Sequence, residues 1–345
     1  MIPTSFIMKV TGMCNLGCNY CFAREHFTGT KMPVEMIRVI FEQIDSLGQA
    51  QVTVSWHGGE PLLFGKEGFK RAIKYQEGLK TKFQNVIQTN GILVDEEWVE
   101  FFKENNCSVG LSIDGYRSVH NYNRPLPNGK ESFELVMNGL QKLIDADCCG
   151  GIISVVSKET DVKEYFEFVK SLGIKSFHTK PCSSKWQGSI TLADYARFLK
   201  ELFDLWIEND DPDLSFREFT GFAENLLGGQ AKLCQQSGRC SHFVSINTNG
   251  DIYPCDEQMS PEKKMGNILT GGLLEFVDSS RWGNFCSGLR DTYSECEKKC
   301  PDYDACRGGC SSERLFHGDV EYCTQRRAIV DSVRQWVLVN AEGAV

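Results

Sequence analysis

Strand-like and helix-like segments alternate without interruption over residues 5–209, and this order constrains the fold more than any other feature. Short apolar runs alternate with stretches whose apolar residues recur every three or four positions. The predicted strands are residues 5–10, 51–56, 85–88, 107–113, 151–156 and 174–179. The predicted helices are residues 33–47, 66–82, 95–105, 131–145 and 161–172, with Asp95 and Asp161 as N-caps. Six βα units in series predict a parallel sheet with right-handed crossovers, curled into a barrel or part of one.

A loop with three cysteines follows the first predicted strand. Cys14, Cys18 and Cys21 stand in the run Cys-Asn-Leu-Gly-Cys-Asn-Tyr-Cys. A structural zinc site uses four ligands, and so does a four-iron cluster that only carries electrons. Three thiolates from one short loop therefore favour a four-iron cluster with one iron left open for another molecule.

This loop, with the aromatic Tyr20 before its last cysteine, resembles the signature of the radical S-adenosylmethionine (SAM) enzymes. The resemblance implies a partial (β/α)6 barrel of the TIM type and a cluster whose open iron binds SAM. It also implies that Gly58, Gly59 and Glu60, after the second strand, contact the methionine amino group. Without the cysteine loop, a Gly-Gly-Glu run is more often a simple turn.

Polar residues also follow the other predicted strands, where parallel barrels collect their chemistry. Ser112 and Asp114 end the fourth strand, within reach of the ribose or the amino acid part of SAM. Arg124 is a candidate partner for the methionine carboxylate, because arginine binds carboxylates in a bidentate geometry. Solvated surface positions are the alternative for all three. His178 and Lys180 follow the sixth strand, where a structural role and a place in the substrate cavity are both open.

The C-terminal part is rich in cysteine, with nine between positions 234 and 323. Thr248-Asn249-Gly250 predicts a hairpin between residues 242–247 and 251–254. The pattern resembles the SPASM extension of peptide- and protein-modifying radical SAM enzymes. That resemblance assigns one auxiliary four-iron cluster to Cys234, Cys240, Cys255 and Cys310. It assigns a second to Cys296, Cys300, Cys306 and Cys323.

Two alternatives remain open for these auxiliary sites. Cys296 and Cys300 have three residues between them where the family usually has two, so Cys286 is an alternative ligand. Thiolates alone do not distinguish iron from zinc, and two structural zinc sites would fit the same residues. With the cluster of the first loop, the assignment predicts three 4Fe–4S clusters and SAM as cofactors.

The domain prediction places the radical SAM barrel in residues 1–190, bridging helices in 191–229 and the SPASM-like domain in 230–345. The net charge of −9 and the absence of a Lys/Arg cluster argue against nucleic acid or an anionic membrane as partner. No signal peptide or run of transmembrane length is apparent. Sixteen cysteines in such a chain indicate metal ligands in a reducing compartment, so we expect a cytoplasmic protein.

The expected reaction is oxidation of a peptide or protein side chain after hydrogen abstraction by a 5′-deoxyadenosyl radical. The expected partners are that substrate and an electron donor such as flavodoxin or ferredoxin. Asp256, directly after Cys255, is a candidate general base, and the resemblance to sulfatase-maturing relatives supports that role. An aspartate also commonly caps the end of a hairpin, and this structural role is equally open.

Three functions remain open at this stage. The favoured one is the cross-linking of a ribosomally synthesised precursor peptide through a carbon–carbon or thioether bond. The alternative is conversion of a sulfatase cysteine or serine to formylglycine. The spacing of Cys234, Cys240, Cys255 and Asp256 fits that alternative. Against it, Phe22 and Ala23 replace its usual tyrosine-rich continuation, and the chain is short for that group. A non-catalytic iron–sulfur or zinc module is the third.

Overall fold

The computed structural model describes residues 1–21, 29–183 and 186–342. Phe22 and Ala23, which bear on the choice between the two enzymatic functions, lie outside these residues. The strands are β1 Ser5–Thr11, β2 Gln51–Gly58, β3 Lys82–Thr89, β4 Ser108–Ser112, β5 Cys149–Val156, β6 Ser176–Pro181, β7 Ser215–Phe216, β8 Phe243–Ile246, β9 Asp251–Tyr253 and β10 Gly266–Asn267.

α-Helices separate the first six strands, as the sequence predicts, and one further helix that it does not predict lies between β4 and β5. The α-helices are α1 Val34–Ser46, α2 Lys66–Lys74, α3 Glu96–Glu104, α4 Arg117–Asn123, α5 Phe133–Asp145, α6 Val162–Ser171, α7 Leu192–Asn209, α8 Arg217–Leu226, α9 Cys234–Ser237, α10 Gly272–Asp278, α11 Ser280–Lys299, α12 Tyr303–Cys306, α13 Ser311–His317 and α14 Asp319–Glu342. The pairs formed by β1 to β4, and those formed by β5 to β7, are parallel. The predicted α/β class is confirmed. In the described part of the chain, no helix has the length and apolar character needed to cross a membrane.

The chain divides into two compact units. Unit 1 comprises residues 1–112, 125–150 and 241–288, and unit 2 comprises residues 113–124, 151–240 and 289–345. Within unit 1 the strand order is β10-β9-β8-β1-β2-β3-β4, and within unit 2 it is β5-β6-β7. The division into three consecutive domains stays a prediction.

The predicted hairpin is present in unit 1, where β8 and β9 pair antiparallel through Ser245–Tyr253 and Ile246–Ile252. The sequence pattern does not show that β8 also pairs parallel with β1, with Ser5 opposite Phe243. This pairing extends the parallel sheet of unit 1 with a strand that lies far away in the sequence. It also brings the residues after β9 into the same unit as the loop that follows β1.

The sequence correctly predicts two helix starts but misplaces one helix end. Asp95 accepts a hydrogen bond from the Trp98 amide at 2.8 Å, and Asp161 caps α6. The predicted helix 66–82 ends at Lys74, and β3 begins at Lys82, three residues earlier than predicted. Gly78 turns the chain there with a φ of +80°, and pairing of Gln51 with Lys82 takes the following residues into the sheet. Tertiary pairing overrides the local pattern here.

Two glycines let the end of β2 pack against the loop that follows β1. A Cβ at Gly58 would lie 2.3 Å from the Thr11 carbonyl oxygen, and one at Gly59 would lie 2.1 Å from that of Met13. Two backbone hydrogen bonds of 2.8 Å, from Gly59 to Thr11 and from Glu60 to Met13, hold the segments together. Only glycine allows this approach of two backbones.

We expect the substitution Gly59→Ala to lower the free energy of unfolding by about 1–3 kcal/mol, because the added methyl group would displace the backbone next to Cys14. The measurement is thermal unfolding of the reconstituted protein, together with its iron content. Gly283→Ala is the matched control, since that helical glycine in α11 has open space around it. Equal stability of the two variants would contradict the packing described here.

Candidate functional site

The three-cysteine loop begins directly after β1 in unit 1. Cys18 is buried, and Cys14 and Cys21 are partly exposed. The Leu16 amide lies 3.4 Å from the Cys14 sulfur, and the Gly17 amide donates to the Pro125 carbonyl at 2.7 Å. The backbone around the first two cysteines is therefore fixed by contacts within the unit.

Asn15, inside this loop, has an amide donor that nothing in the described protein satisfies. Its Oδ1 accepts a hydrogen bond from Asn90 at 2.8 Å, whereas its Nδ2 is buried and has no partner in the described residues. A buried donor without an acceptor is costly. An acceptor such as a cluster sulfide or a SAM carboxylate would satisfy it, so the loop fits the cofactors that the cysteines imply.

Glu60 is buried where the loops after β2 and β3 meet. One carboxylate oxygen accepts hydrogen bonds from Leu62 at 3.0 Å and Thr89 at 2.7 Å, and the other accepts from the Asn90 amide at 2.8 Å. Burial raises the pKa of Glu60 to about 7, although these hydrogen bonds favour the charged form. Glu60 therefore positions Asn90, and its contact with SAM stays a prediction.

The other predicted SAM contacts of unit 1 lie along the same strand ends. Gly58 and Gly59 approach the cysteine loop through their backbone, and Tyr20 is half-buried within it. Ser112, at the end of β4, accepts a hydrogen bond from the side-chain amide of Gln88 at 2.8 Å. Their contacts with SAM stay predictions.

A buried lysine that the sequence analysis does not single out lies beside the candidate base. Lys9, in β1, places its ammonium group 3.3 Å from Asp256 Oδ2 and 3.1 Å from His57 Nδ1. The Gly58 amide also donates to His57 Nδ1, so the proton of the neutral imidazole is on Nε2. The side chain of Lys9 is 7% exposed and that of Asp256 is 21% exposed.

The contact with Lys9 orients the Asp256 carboxylate while leaving part of it accessible to a substrate. A lysine within an otherwise apolar strand is the sequence signal for this contact.

Asp114 and Arg124 pair with each other in unit 2. Arg124 Nε lies 2.9 Å from Asp114 Oδ1, and both side chains are buried. The same oxygen accepts a hydrogen bond from the Val155 amide at 2.9 Å. His120 lies next to them, and burial lowers its pKa to about 4. Asp114 is therefore held by Arg124 and by the Val155 amide, and the predicted contacts of Asp114 and Arg124 with SAM stay predictions.

Three cysteines of the first auxiliary set lie together in unit 2, and Cys255 belongs to unit 1. The pKa of Cys310 is raised to about 11, chiefly by burial and in part by the nearby thiols of Cys234 and Cys240. Ser311 Oγ lies 3.7 Å from the Cys240 sulfur. These three thiols therefore share one environment, as a common cluster requires.

All four cysteines of the second auxiliary set belong to unit 2. Cys296 ends a turn of α11, and the Cys300 amide donates to its carbonyl at 2.8 Å, which puts both on one helical face. The pKa of Cys323 is raised by burial and by the nearby thiols of Cys306 and Cys296. The unusual spacing is thus compatible with one site. Cys286, the alternative ligand, is buried in unit 1.

Residues 1–21, 29–183 and 186–342 contain no group of three or more His, Cys, Asp or Glu side chains arranged around a single metal ion. A tetrahedral zinc site needs such a convergent group. The thiolates of a four-iron cluster each bind a different iron and lie farther apart.

His178 and Lys180 lie beside a cavity within unit 2, at the end of β6. His178 Nδ1 lies 2.9 Å from Glu218 Oε1, and burial lowers the histidine pKa. Thr179 Oγ1 also donates to Glu218, at 2.6 Å. Lys180, Glu218, Tyr195 and Arg326 line the cavity. His178 pairs with Glu218, whereas Lys180 lines the cavity. Glu218 is a residue that the sequence analysis misses.

Comparison with known proteins gives consistent matches over most of the chain. Residues 8–172 match the radical SAM superfamily, and residues 234–310 match SPASM, an iron–sulfur cluster-binding domain. The cysteine-type anaerobic sulfatase-maturating enzyme of Clostridium perfringens is 30% identical, over 90% of this chain and 89% of that protein. The serine-type enzyme of Bacteroides thetaiotaomicron is 31% identical, over 91% and 84%.

Solved structures agree with these matches. Native anSMEcpe with bound AdoMet and Cp18Cys peptide has a TM-score of 0.89 and 28% identity, covering 99% of this chain and 100% of that one. Streptococcus suis SuiB bound to precursor peptide SuiA has a TM-score of 0.65 and 19% identity, covering 93% and 74%. The second likeness shows a shared fold alone.

We expect the stability of the protein to fall by up to about 3 kcal/mol as the pH rises from about 4.5 to 7, through ionisation of Glu60. Its pKa in the folded state is about 7, above the ordinary 4.5, so folding favours the protonated form. This stabilisation is complete below the lower value and is lost as the pH passes the higher one. Thermal unfolding across this range, compared between wild type and Glu60→Gln, measures it.

Glu67→Gln is the control for the loss of a carboxylate, because Glu67 is exposed. The difference in stability between wild type and Glu60→Gln has to change with pH, and that between wild type and Glu67→Gln has to stay constant. A constant difference for both would show that Glu60 does not titrate in this range.

We expect Lys9→Met to lower the free energy of unfolding by about 2–3 kcal/mol, because it removes the ammonium group from a largely buried ion pair with Asp256. The control is Lys70→Met, whose exposed pair with Glu67 contributes less than about 0.5 kcal/mol. Thermal unfolding of both reconstituted variants measures the difference. A loss no larger than that of the control would rule out the structural importance of the buried pair.

Proposed function

We propose, on the premise that this chain belongs to the radical SAM superfamily and carries a SPASM domain, that it oxidises a cysteine or serine side chain of a sulfatase to formylglycine. Relatives of at least 30% identity that span most of the chain are anaerobic sulfatase-maturating enzymes. Peptide cross-linking, which the sequence analysis favours, rests on a likeness in fold alone.

The observation that carries the proposal is the partly exposed carboxylate of Asp256 held by Lys9 at 3.3 Å. Oxidation of a thiol or hydroxyl to a carbon–heteroatom double bond requires the loss of a proton from sulfur or oxygen. In this proposal Asp256 is the base for that proton, and the ammonium group of Lys9 orients its carboxylate.

The overall change removes one hydrogen atom from the substrate β-carbon, one proton from its sulfur or oxygen and one electron. When bound, SAM and the clusters supply the radical that takes the hydrogen atom and the acceptor for the electron. A serine side chain becomes the aldehyde directly. A cysteine side chain becomes a thioaldehyde, and water then replaces its sulfur, which leaves as hydrogen sulfide.

The cofactors that we propose are SAM and three 4Fe–4S clusters. One cluster is held by Cys14, Cys18 and Cys21, a second by Cys234, Cys240, Cys255 and Cys310, and a third by Cys296, Cys300, Cys306 and Cys323. The proximity of Cys234 and Cys240 to Cys310 supports the second set, that of Cys296 and Cys306 to Cys323 supports the third, and the unsatisfied donor of Asn15 supports the first. The place of Cys255 in the second set rests on the sequence pattern. A flavodoxin or ferredoxin as electron donor and a cytoplasmic location belong to the same proposal.

Iron, sulfide and zinc content of anaerobically reconstituted protein tests the cofactor assignment. About twelve irons per chain without zinc would support three four-iron clusters. About four irons with two zincs would make the C-terminal sites structural and would contradict the electron-accepting role.

The activity assay uses reduced enzyme, SAM and two peptides with a sulfatase maturation sequence, one with cysteine and one with serine at the target position. We expect one of them to yield an aldehyde that reacts with a hydrazide probe, with one 5′-deoxyadenosine formed per product. An intrapeptide cross-link without aldehyde, formed on a ribosomal precursor peptide, would establish the alternative function.

Asp256→Asn is expected to lower the rate of aldehyde formation about 10²–10⁴-fold, because the amide cannot accept the substrate proton. Asp278→Asn is the matched control, with the same loss of charge at an exposed position of unit 1. The rate of product formation and the iron content of both variants are measured. An Asp256→Asn enzyme with full iron content and an unchanged rate would refute the role of Asp256 as base.

A further inference from the structure

Arginines of α13 and α14 contact the sulfurs of the second auxiliary set. Arg326 Nε lies 3.1 Å from the Cys306 sulfur, and Arg314 Nη1 lies 3.4 Å from the Cys296 sulfur. A third arginine, Arg327, lies beside Cys300 and binds Asp302 through its Nε at 2.9 Å. The reaction proposed above uses none of these guanidinium groups.

Arg326 is buried and held in one orientation. Its Nη2 donates to the Gln235 carbonyl at 3.0 Å, and its guanidinium carbon lies 4.8 Å from the ring of Phe222 and 5.4 Å from that of Tyr322. Two aromatic rings and a carbonyl therefore fix the plane of the group. In this orientation the Nε–H points at the sulfur of Cys306, so this contact is built into the fold.

Arg314 is held in a similar way. Its Nε donates to Asp319 at 2.7 Å, and its Nη1 also donates to the Gly308 carbonyl at 2.9 Å. The side chain is 13% exposed. Cys306 and Cys296 thus each receive an N–H donor from an arginine, and other contacts hold each arginine in place.

Hydrogen-bond donors to the sulfurs of a cluster change the free energy of adding an electron to that cluster. A cluster held by four thiolates becomes more negative when it is reduced, and hydrogen bonds to its sulfurs and burial near a positive charge stabilise that state. The effect is large only where water does not screen the charge, as for the buried Arg326.

We propose that Arg326 and Arg314 raise the reduction potential of the iron–sulfur cluster held by Cys296, Cys300, Cys306 and Cys323. They are positioning residues that act on the cluster, and this role rests on the ligand set proposed above. The raised potential makes this cluster a better acceptor for an electron that arrives from substrate oxidation.

The test is an anaerobic redox titration of the full-length holoenzyme followed by electron paramagnetic resonance. The component whose signal responds to added SAM is assigned to the first loop and set aside. In Arg326→Gln and in Arg314→Gln we expect one auxiliary component to shift to a lower midpoint potential, with unchanged iron content. Arg334→Gln is the control, because Arg334 lies on the same helix as Arg326 but contacts Asp302 and Asp304 instead of a cysteine.

An unchanged midpoint potential in both Arg326→Gln and Arg314→Gln, at full iron content, would overturn the proposal. An equal shift in Arg334→Gln would also overturn it, since a general change of charge would then explain the result. If Arg326→Gln does not retain its iron, the potential of Arg314→Gln alone decides.

The titration separates failure of this inference from failure of the functional proposal. Wild-type enzyme with only one auxiliary component would refute the ligand set, and with it the role of the arginines. Normal formylglycine formation with unshifted potentials would refute the arginine role alone. Shifted potentials in an enzyme that forms no formylglycine would support the arginine role and refute the proposed reaction.

Discussion

The contact of two backbones, at the end of β2 and in the loop after β1, is the constraint on which the rest of unit 1 depends. Gly58 and Gly59 bring the segments within hydrogen-bond distance of Thr11 and Met13, immediately before Cys14. The Glu60 carboxylate accepts hydrogen bonds from Thr89 and Asn90, and the Asn90 side chain donates one to Asn15 inside the cysteine loop. A closed set of hydrogen bonds within the protein therefore fixes the three-cysteine loop.

The charge buried in β1 is explained by its partner. A lysine such as Lys9 in a sheet core is costly unless it is paired. Its partner Asp256 lies at the end of the hairpin formed by β8 and β9, and the parallel pairing of β8 with β1 places that hairpin in the same unit. The unit thus orients a carboxylate without burying it completely, which a base that must meet a substrate requires.

The C-terminal cysteines show how spacing and structure complement each other. The four-residue separation of Cys296 and Cys300 looks like a departure from the family pattern, but on a helical turn it places both residues on one face. The second auxiliary set further differs from a bare group of thiols, because Arg314 and Arg326 point hydrogen-bond donors at two of its sulfurs. Local helix geometry places the two cysteines, and arginines from later in the chain contact two sulfurs of the set.

The sequence by itself determined the α/β class, the order of its elements and the groups of cysteines, because these depend on local periodicity and on short spacings. It also predicted the N-caps Asp95 and Asp161, whose partners lie within three residues. Only the tertiary structure decided that β8 joins β1, that Lys9 meets Asp256, that Asp114 pairs with Arg124, and that Glu218 lies against His178. Most of these contacts join residues that are far apart in the chain, and their energies depend on burial, which no local pattern encodes.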